Sequence, residues 1–478
     1  MKLFKNFIYN SAYQVLILFL PFITMPYVSR ILGPEGIGIN SYTYSTVMFF
    51  TLFGSLGLSM YGTREIATVQ DDIVKRSNIF WNIFIFRFCT VLIAWVIFLF
   101  VIPSKNEYYI FYLAQSILFL STMCDISWYF VGMEQFKTIV ARNTVLKVIT
   151  VILIIIYIKH SDDLLIYIIF VNLGTLVANI SMMASLRNNI KKPVWGKIFT
   201  TRFFIPFLPA IALFLPNIAA NIYLLLNKVM IGKLDSVVAA GFYQQADSIV
   251  KIIVAVVTSL GTVLMPRVSN LFATNQMTKI KQYVHKSMDF SLFLSLPVMA
   301  GLSSISAYFV PWFFGSGYNK VIVLIDIESI TLILIAISNV LGMQFLVPTR
   351  RTREFTLSIS IGAIINIALN PLAIVYWGAV GAMFVTVIAE LVVVLVQVFV
   401  LRHEISFISL FKQSWKYCVC TIIMTLVIVT LNYYMNSSYS NWLIIAVDVI
   451  LGSLIYIIGN SLLRTNMFLE CLRFIKKG

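Results

Sequence analysis

The chain has 478 residues, of which 60% are hydrophobic and 11% charged, and its 35 Lys and Arg against 19 Asp and Glu give a formal net charge of +16. An ordinary soluble domain has roughly 25% charged residues. This composition therefore excludes a soluble globular protein and indicates a polytopic membrane protein. The cations lie in short loops between apolar runs rather than on one solvated face, which argues against a nucleic-acid partner.

Apolar runs long enough to cross a bilayer recur along the whole chain. A span needs about 20 mostly apolar residues, and this criterion predicts about 14 of them. The first half holds six spans, at residues 9–29, 40–61, 79–101, 108–131, 141–158 and 163–186. The second half holds eight, at residues 205–231, 238–264, 287–312, 322–347, 355–375, 379–401, 413–433 and 441–463. Met1 to Asn10 is short and basic and the apolar run continues beyond it, so we expect an uncleaved first helix.

The distribution of cations predicts how the spans are oriented. The segment from Arg187 to Arg202 carries five cations and no acid, and basic segments beside spans stay in the cytoplasm. With the N-terminus inside, 26 cations fall in cytoplasmic segments, six in external loops and three within spans. Both termini are therefore predicted to be cytoplasmic.

The halves of the chain resemble each other. Each begins with a Pro-containing helix that runs to a cation, a turn, and a second helix that opens at Gly38 or at Gly241. Six spans form a parallel repeat, which places a binding site between the halves. We expect an N-terminal lobe (1–186), a basic linker (187–204), a C-terminal lobe (205–401) and two additional helices with a tail (402–478).

Charged groups within spans are costly and normally face a cavity or a partner. A cationic cavity suits an anion such as phosphate, and the candidate cations are Arg30, Arg87, Lys147, Lys228 and Lys251. Alternatives remain: Lys251 is four residues from Asp247 and can pair with it along the helix. Arg87 and Lys147 can have a buried partner such as Asp125. Cations at span ends, including Arg64 and Arg267, can snorkel or signal orientation.

The cysteines and histidines predict no catalytic or metal centre. The five cysteines have no metal-ligand or CxxC spacing, and the three histidines are scattered. The external loops are too short to hold an external enzymatic domain. We therefore expect no enzymatic activity and no cofactor.

Three stretches resemble the Wzx-type polysaccharide flippases, which belong to the multidrug/oligosaccharidyl-lipid/polysaccharide exporter superfamily. They are Arg30 to Gly38 (RILGPEGIG), Tyr61 to Glu65 (YGTRE) and Asp125 to Lys137 (DISWYFVGMEQFK). The third is the most specific, and all three lie in the first third of the chain.

The resemblance implies a two-lobed bundle of spans 1–6 and 7–12 that opens alternately to either side of a bacterial cytoplasmic membrane. Its substrate would be a polyprenyl-diphosphate-linked oligosaccharide, moved to the external leaflet for capsule, exopolysaccharide or O-antigen assembly. A polysaccharide polymerase and assembly proteins would be partners, and a proton gradient or the membrane potential would drive transport. A lipid II flippase and a cation-coupled multidrug exporter of the same superfamily are the alternatives.

Coupling or gating roles are predicted for a second set of residues: Asp125, Asp247, Arg64, Arg267, Trp128 and Glu134. Within the third stretch, Trp128 and Tyr129 can anchor the helix near its cytoplasmic end, and Gly132 can end it. Glu134 can form an ion pair with Lys137 in the following loop.

Overall fold

The computed structural model describes residues 2–186, 189–193, 206–435 and 439–475, and all the regular structure in these ranges is helical. In the first part of the chain the helices are α1 (Lys2–Ser55), α2 (Leu58–Ala67), α3 (Ile73–Val101), α4 (Tyr109–Gln115), α5 (Ile117–Cys124), α6 (Ser127–Gly132), α7 (Phe136–Tyr157) and α8 (Leu164–Ala184). They are followed by α9 (Phe207–Leu234), α10 (Val237–Ala273), α11 (Met277–Phe314), α12 (Asn319–Glu328), α13 (Thr331–Ser338), α14 (Thr352–Leu401), α15 (Phe407–Leu410), α16 (Ser414–Met435), α17 (Asn441–Leu462) and α18 (Asn466–Ile475). A 3-10 turn (Ser161–Asp163) precedes α8, and a π-helix (Asn339–Leu346) follows α13.

These helices confirm the prediction of an all-α polytopic membrane protein. Within the described ranges nine helices are long and apolar enough to cross a membrane, or up to ten if the bent pair Phe22–Ser55 and Leu58–Ala67 forms one span. Two very long helices run through pairs of predicted spans: α14 contains those at 355–375 and 379–401, and α1 contains the one at 9–29 and most of the one at 40–61. The backbone of α1 leaves helical geometry at Gly33 (φ 68°), and that of α14 does so at Gly378 (φ 57°). A straight helix of 50 residues would be about 75 Å long, against a hydrocarbon core of about 30 Å. The predicted total of about 14 is compatible with this arrangement.

Two predicted spans are broken rather than continuous. The span predicted at 108–131 consists of α4, α5 and α6, which are separated at Ser116 and around Asp125. The span predicted at 322–347 consists of α12, α13 and the π-helix. Hydropathy alone indicates that such segments are buried in the membrane, but it does not locate a break in the helix.

The helices form two compact units, Met1–Gly241 and Phe242–Gly478. In the first unit one core cluster is built around Leu58, Phe80 and Trp128. In the second unit one core cluster joins α11, the π-helix and α14. Most of the basic linker lies outside the described residues, and the division into lobes at 187–204 stays a prediction.

Two glycines allow backbone contact between helices within the first unit. A Cβ added to Gly38 of α1 would lie 2.3 Å from the carbonyl oxygen of Val237, at the start of α10. A Cβ added to Gly241 would lie 2.8 Å from backbone atoms of Gly38. Small residues of this kind let helix backbones approach closely in membranes. These are the glycines that open the two helices compared in the predicted repeat.

Asp72 caps the N-terminus of α3 outside the membrane spans. Its Oδ1 accepts hydrogen bonds from the backbone N–H groups of Val74 and Lys75, each at 3.0 Å. The Lys75 N–H is the leading cause that lowers the pKa of the Asp72 carboxyl below its usual value.

We expect Asp72→Ala to lower the thermal unfolding temperature at neutral pH, and the loss to fade in acid. Because the folded-state pKa is depressed, the stabilisation is present above the unfolded-state pKa of about 3.9 and is lost as pH falls through the folded-state value. Thermal unfolding of both proteins at about pH 7 and about pH 3 would test this expectation. Asp72→Asn is the control, since its side-chain oxygen retains the cap without the titratable charge. An equal deficit of Asp72→Ala at the two pH values would contradict the electrostatic part of the explanation.

Candidate functional site

Two of the three stretches that resemble the flippases contact each other in the first unit. A Cβ added to Gly62 of α2 would lie 2.4 Å from the indole ring of Trp128, and one added to Gly132 would lie 2.8 Å from the carbonyl oxygen of Thr63. The Thr63 hydroxyl also donates to the carbonyl oxygen of Trp128 at 3.3 Å. Glycine at positions 62 and 132 therefore lets α2 and α6 come into direct contact.

A buried ion pair lies beside this contact. On α3, Arg87 donates through Nη2 to Oδ2 of Asp125 at 3.1 Å, and the arginine side chain is only 4% exposed. Its Nη1 donates to the Asp125 carbonyl oxygen at 3.2 Å and to Ser59 Oγ at 3.0 Å. Asp125 Oδ1 accepts from the Ser127 N–H at 2.9 Å. Arg87 thus has the buried partner that the sequence suggested, and the pair holds the break between α5 and α6. Direct contact of Arg87 with a substrate stays a prediction.

Trp128 and Tyr129 are core residues rather than anchors at the lipid headgroups. Both are buried, and both rings contact Phe80 with centroids 5.5 Å apart. Trp128 Nε1 donates to the Asp125 carbonyl oxygen at 3.2 Å, which satisfies the indole N–H inside the protein. Their aromatic character suggested positions at the membrane–water interface. In the structure the Trp128 indole instead packs inside the unit, against Gly62.

The end of the third stretch agrees in part with expectation. As predicted, α6 ends at Gly132. Glu134 is exposed and has a left-handed backbone conformation (φ 56°), which turns the chain toward α7. The predicted ion pair of Glu134 with Lys137 lies outside the described side chains.

Three predicted cavity cations of the first unit differ in their surroundings. Lys147 is half-buried on α7 and makes no hydrogen bond or ion pair with a residue that the structure describes. Lys228 is buried on α9, whereas Arg30 on α1 is exposed. A cation inside a membrane protein normally faces a cavity or a partner. Lys147 is consequently the strongest candidate of the three for an anion-binding group.

Arg64 and Arg267 lie at protein surfaces near helix ends. The Arg64 side chain is 61% exposed, and its Nη2 is 3.2 Å from Glu65 Oε1. The exposed Arg267 guanidinium lies 4.9 Å from the ring centroid of Tyr283. These positions suit snorkelling cations or orientation signals, and a gating role for either residue stays a prediction.

The second unit contains the intrahelical ion pair that the sequence left open as an alternative for Lys251. On α10, Lys251 Nζ donates to Asp247 Oδ2 at 2.8 Å, with side-chain exposures of 44% for the lysine and 4% for the aspartate. One turn earlier, the Tyr243 hydroxyl is hydrogen-bonded to Thr386 Oγ1 of α14 at 3.0 Å. The aspartate is held inside the unit, while part of the lysine remains open to a ligand.

The first unit also contains a buried amide network that was not predicted, because amide side chains carry no charge that marks them within apolar spans. Gln115 Nε2 donates to Asn40 Oδ1 at 3.0 Å, and Asn172 Nδ2 donates to Gln115 Oε1 at 2.8 Å. The three amides join α1, α8 and the end of α4. An available signal was the presence of amide side chains in otherwise apolar spans, where they act as polar links between helices.

The long apolar helices, with charged groups buried among them, are those of a multi-pass membrane protein. The fold is similar to that of the lipid II flippase MurJ in its inward closed conformation, with a TM-score of 0.67 and 17% identity over 92% of this chain and 98% of that one. It is also similar to an inward-facing multidrug resistance MATE family transporter of the MOP superfamily, with a TM-score of 0.59 and 14% identity over 83% of this chain and 96% of that one.

The chain belongs to the polysaccharide biosynthesis protein family, whose model matches residues 3–272. A protein of Escherichia coli (strain K12) named "Putative O-antigen transporter" is 22% identical over 386 residues, which cover 79% of this chain and 91% of that protein. The Wzx-like resemblance deduced from the three stretches is confirmed. The relatives are transporters and flippases rather than enzymes, as expected of this chain.

Proposed function

We propose that this protein is a flippase that moves polyprenyl-diphosphate-linked oligosaccharide repeat units from the cytoplasmic to the external leaflet of a bacterial cytoplasmic membrane. The observation that carries the proposal is the family match over residues 3–272. The name of the Escherichia coli relative supports a cell-surface polysaccharide as the final product. In this proposal both termini are cytoplasmic, and a polysaccharide polymerase acts on the flipped product.

In this proposal two lysines, Lys147 and Lys251, bind the diphosphate group of the substrate. A diphosphate needs positive charge in a low-dielectric site, where charge-assisted hydrogen bonds are strongest. Lys147 supplies a half-buried ammonium without a described partner, and Lys251 supplies one that is partly exposed. A phosphate oxygen can compete with Asp247 for Lys251. Protonation of Asp247 would favour that exchange, which gives a route for coupling transport to protons.

Membrane potential is the other energy source. Each elementary charge that crosses the membrane gains or loses about 2.3 kcal/mol per 100 mV. A potential that is negative inside favours outward movement of the diphosphate and favours inward movement of cations that have no bound anion. Potential-driven transport by reconstituted protein would respond to an imposed voltage, whereas coupling through Asp247 would respond to a pH gradient.

Leaflet location of lipid-linked repeat units in cells tests the proposal. We expect cells lacking the protein to retain these units on the cytoplasmic side, where an external glycan-modifying enzyme cannot reach them. Lys147→Gln and Lys251→Gln should each reduce external exposure by about tenfold, since each removes a charge-assisted contact. The control is Lys105→Gln, which removes an exposed charge from the loop between α3 and α4.

Two outcomes would contradict different parts of the proposal. Normal external exposure in cells lacking the protein would refute the flippase function. Retained function of Lys147→Gln and Lys251→Gln, with the wild-type protein required, would refute only the roles proposed for these two lysines.

Lipid II transport is a second candidate because the fold is similar to that of MurJ. Rescue of cells depleted of their lipid II flippase would favour it over transport of polysaccharide repeat units. A cation-coupled drug exporter fits less well, because cations outnumber acids among the candidate residues within the spans.

A further inference from the structure

A cavity of about 680 Å³ lies in the second unit, away from the residues assigned to transport above. Its walls come from the first part of α11, from the segment around α15 and from the start of α18. All three segments are cytoplasmic in the predicted topology. They are distant in sequence, so the fold brings them together at the cytoplasmic surface of the membrane.

Two polar contacts hold the walls in place. His285 Nδ1 donates to the backbone carbonyl oxygen of Lys281 at 2.9 Å, which leaves Nε2 to face Ser409 Oγ at 2.8 Å. Lys286 Nζ lies 2.6 Å from Glu470 Oε1 and links α11 to α18. Both Lys286 and Glu470 are exposed enough to exchange partners.

The lining has more cations than acids. Lys281, Lys286 and Lys412 line the cavity, together with the acids Asp289 and Glu470. Glu470 is already paired with Lys286. In the part of the chain that the structure describes, the Lys281 and Lys412 side chains have no ion-pair partner. Two ammonium groups, from two different segments of the lining, are thus available to an anion.

The surroundings of the cavity are apolar and suit a lipid. Ile408, next to Ser409, is 91% exposed, and Trp415 is 57% exposed with Lys416 Nζ 6.0 Å from its ring centroid. Tryptophan and lysine are typical of the level where headgroups meet acyl chains. Leu469 of α18 lines the cavity and is partly exposed at its edge. An anion that carries acyl chains fits this combination better than a free one.

We propose that this cavity binds the phosphate headgroup of an anionic phospholipid from the cytoplasmic leaflet. Lys281 and Lys412 contact the phosphate, and Lys286 exchanges Glu470 for a phosphate oxygen. Basic pockets between helices on the cytoplasmic side are suited to anionic lipid headgroups. The site is contained in the second unit and does not depend on the transported substrate.

Native mass spectrometry of the purified full chain titrated with cardiolipin tests the proposal. Each lysine near an anionic lipid contributes about fivefold in affinity, so Lys281→Gln combined with Lys412→Gln should raise the Kd by about 25-fold. The matched control is Lys279→Gln, which removes an exposed charge from the same helix without lining the cavity. It should change the Kd less than about twofold. Phosphatidylcholine should bind weakly to all variants.

Glu470→Gln should change the affinity for cardiolipin in the opposite direction. Misfolding of the variant could only weaken binding, so it cannot produce this result. Removing the carboxylate frees Lys286, so we expect cardiolipin to bind about fivefold more tightly. An unchanged or weaker affinity of this variant would overturn the proposed exchange. Equal losses in Lys279→Gln and the double variant would show general surface attraction instead of a site. Displacement of cardiolipin by millimolar inorganic phosphate would show that the cavity takes a free phosphate rather than a lipid.

Discussion

Arg87→Ala is expected to lower the free energy of unfolding by about 3 kcal/mol, because it leaves a partly buried carboxylate without its cation. The Arg87 side chain is 4% exposed and that of Asp125 is 22% exposed. The partial exposure of Asp125 places the expected loss at the low end of the range for a broken buried pair. Removing the guanidinium also abolishes its hydrogen bond to the backbone at the break between α5 and α6. Reversible unfolding in detergent micelles measures the loss.

Arg64→Ala is the matched control for this prediction. It also removes an arginine from an ion pair, but the Arg64 side chain is 61% exposed. Exposed pairs contribute about 0 to 1 kcal/mol, so we expect a much smaller effect. Similar losses for the two variants would show that burial of the Arg87 pair does not determine its contribution.

A double-mutant cycle measures the interaction energy between Arg87 and Asp125 separately from the other contacts of each residue. Asp125→Asn retains one acceptor oxygen for the Ser127 N–H, but it replaces the oxygen that accepts from Arg87 by an NH2 group and removes the negative charge. The Arg87 and Asp125 substitutions should be strongly non-additive, since both remove one interaction. Additive losses would indicate that each residue contributes through different contacts.

Transport per folded molecule distinguishes a positioning role for Arg87 from substrate contact. A positioning arginine keeps α5 and α6 in register, so Arg87→Lys should reduce the amount of folded protein more than the rate of each folded molecule. A substrate-binding arginine predicts the reverse. The buried geometry of the Arg87 and Asp125 pair favours the positioning role.

The membrane fold was predictable because hydropathy and cation placement respond directly to the bilayer. The breaks within helices were harder to predict from the sequence, since tertiary contacts determine where they fall. The extended backbone at Asp125 is supported by Arg87, which is 38 residues away in sequence. No local pattern around Asp125 contains that information.

Among the interpretations that the sequence left open for the charged residues, an ion pair is the one observed where helix geometry or charge burial left few choices. Asp247 and Lys251 are four residues apart on one helix, which fixes them on the same face. A buried Arg87 needed a partner, and Asp125 was the suggested one. Trp128 was misplaced because an interfacial and a core tryptophan look alike in sequence, and only contact with Gly62 distinguishes them.

Gly38→Ala is expected to destabilise the first unit by about 3 kcal/mol, since overpacking against rigid atoms forces the backbones apart. The added Cβ would lie 2.3 Å from the Val237 carbonyl oxygen and 3.0 Å from the Val238 Cα. These are backbone atoms, so no side-chain rotation relieves the contact. Thermal unfolding and the yield of folded protein measure the effect. The control is Gly301→Ala in α11, where a Cβ meets nothing within 4 Å and alanine should be neutral or slightly stabilising.

Gly241→Ala tests whether the glycine contact is shared. Its Cβ would lie 2.8 Å from Gly38 Cα and N, and 3.1 Å from the Pro34 carbonyl oxygen. Because both substitutions force the same two backbones apart, the double variant should lose less stability than the sum of the single losses. Fully additive losses of stability would mean that the Cβ atoms added at positions 38 and 241 cause two separate steric clashes. Sub-additive losses would show that the two equivalent positions of the predicted repeat form one contact, as expected if an axis of the repeat passes between them.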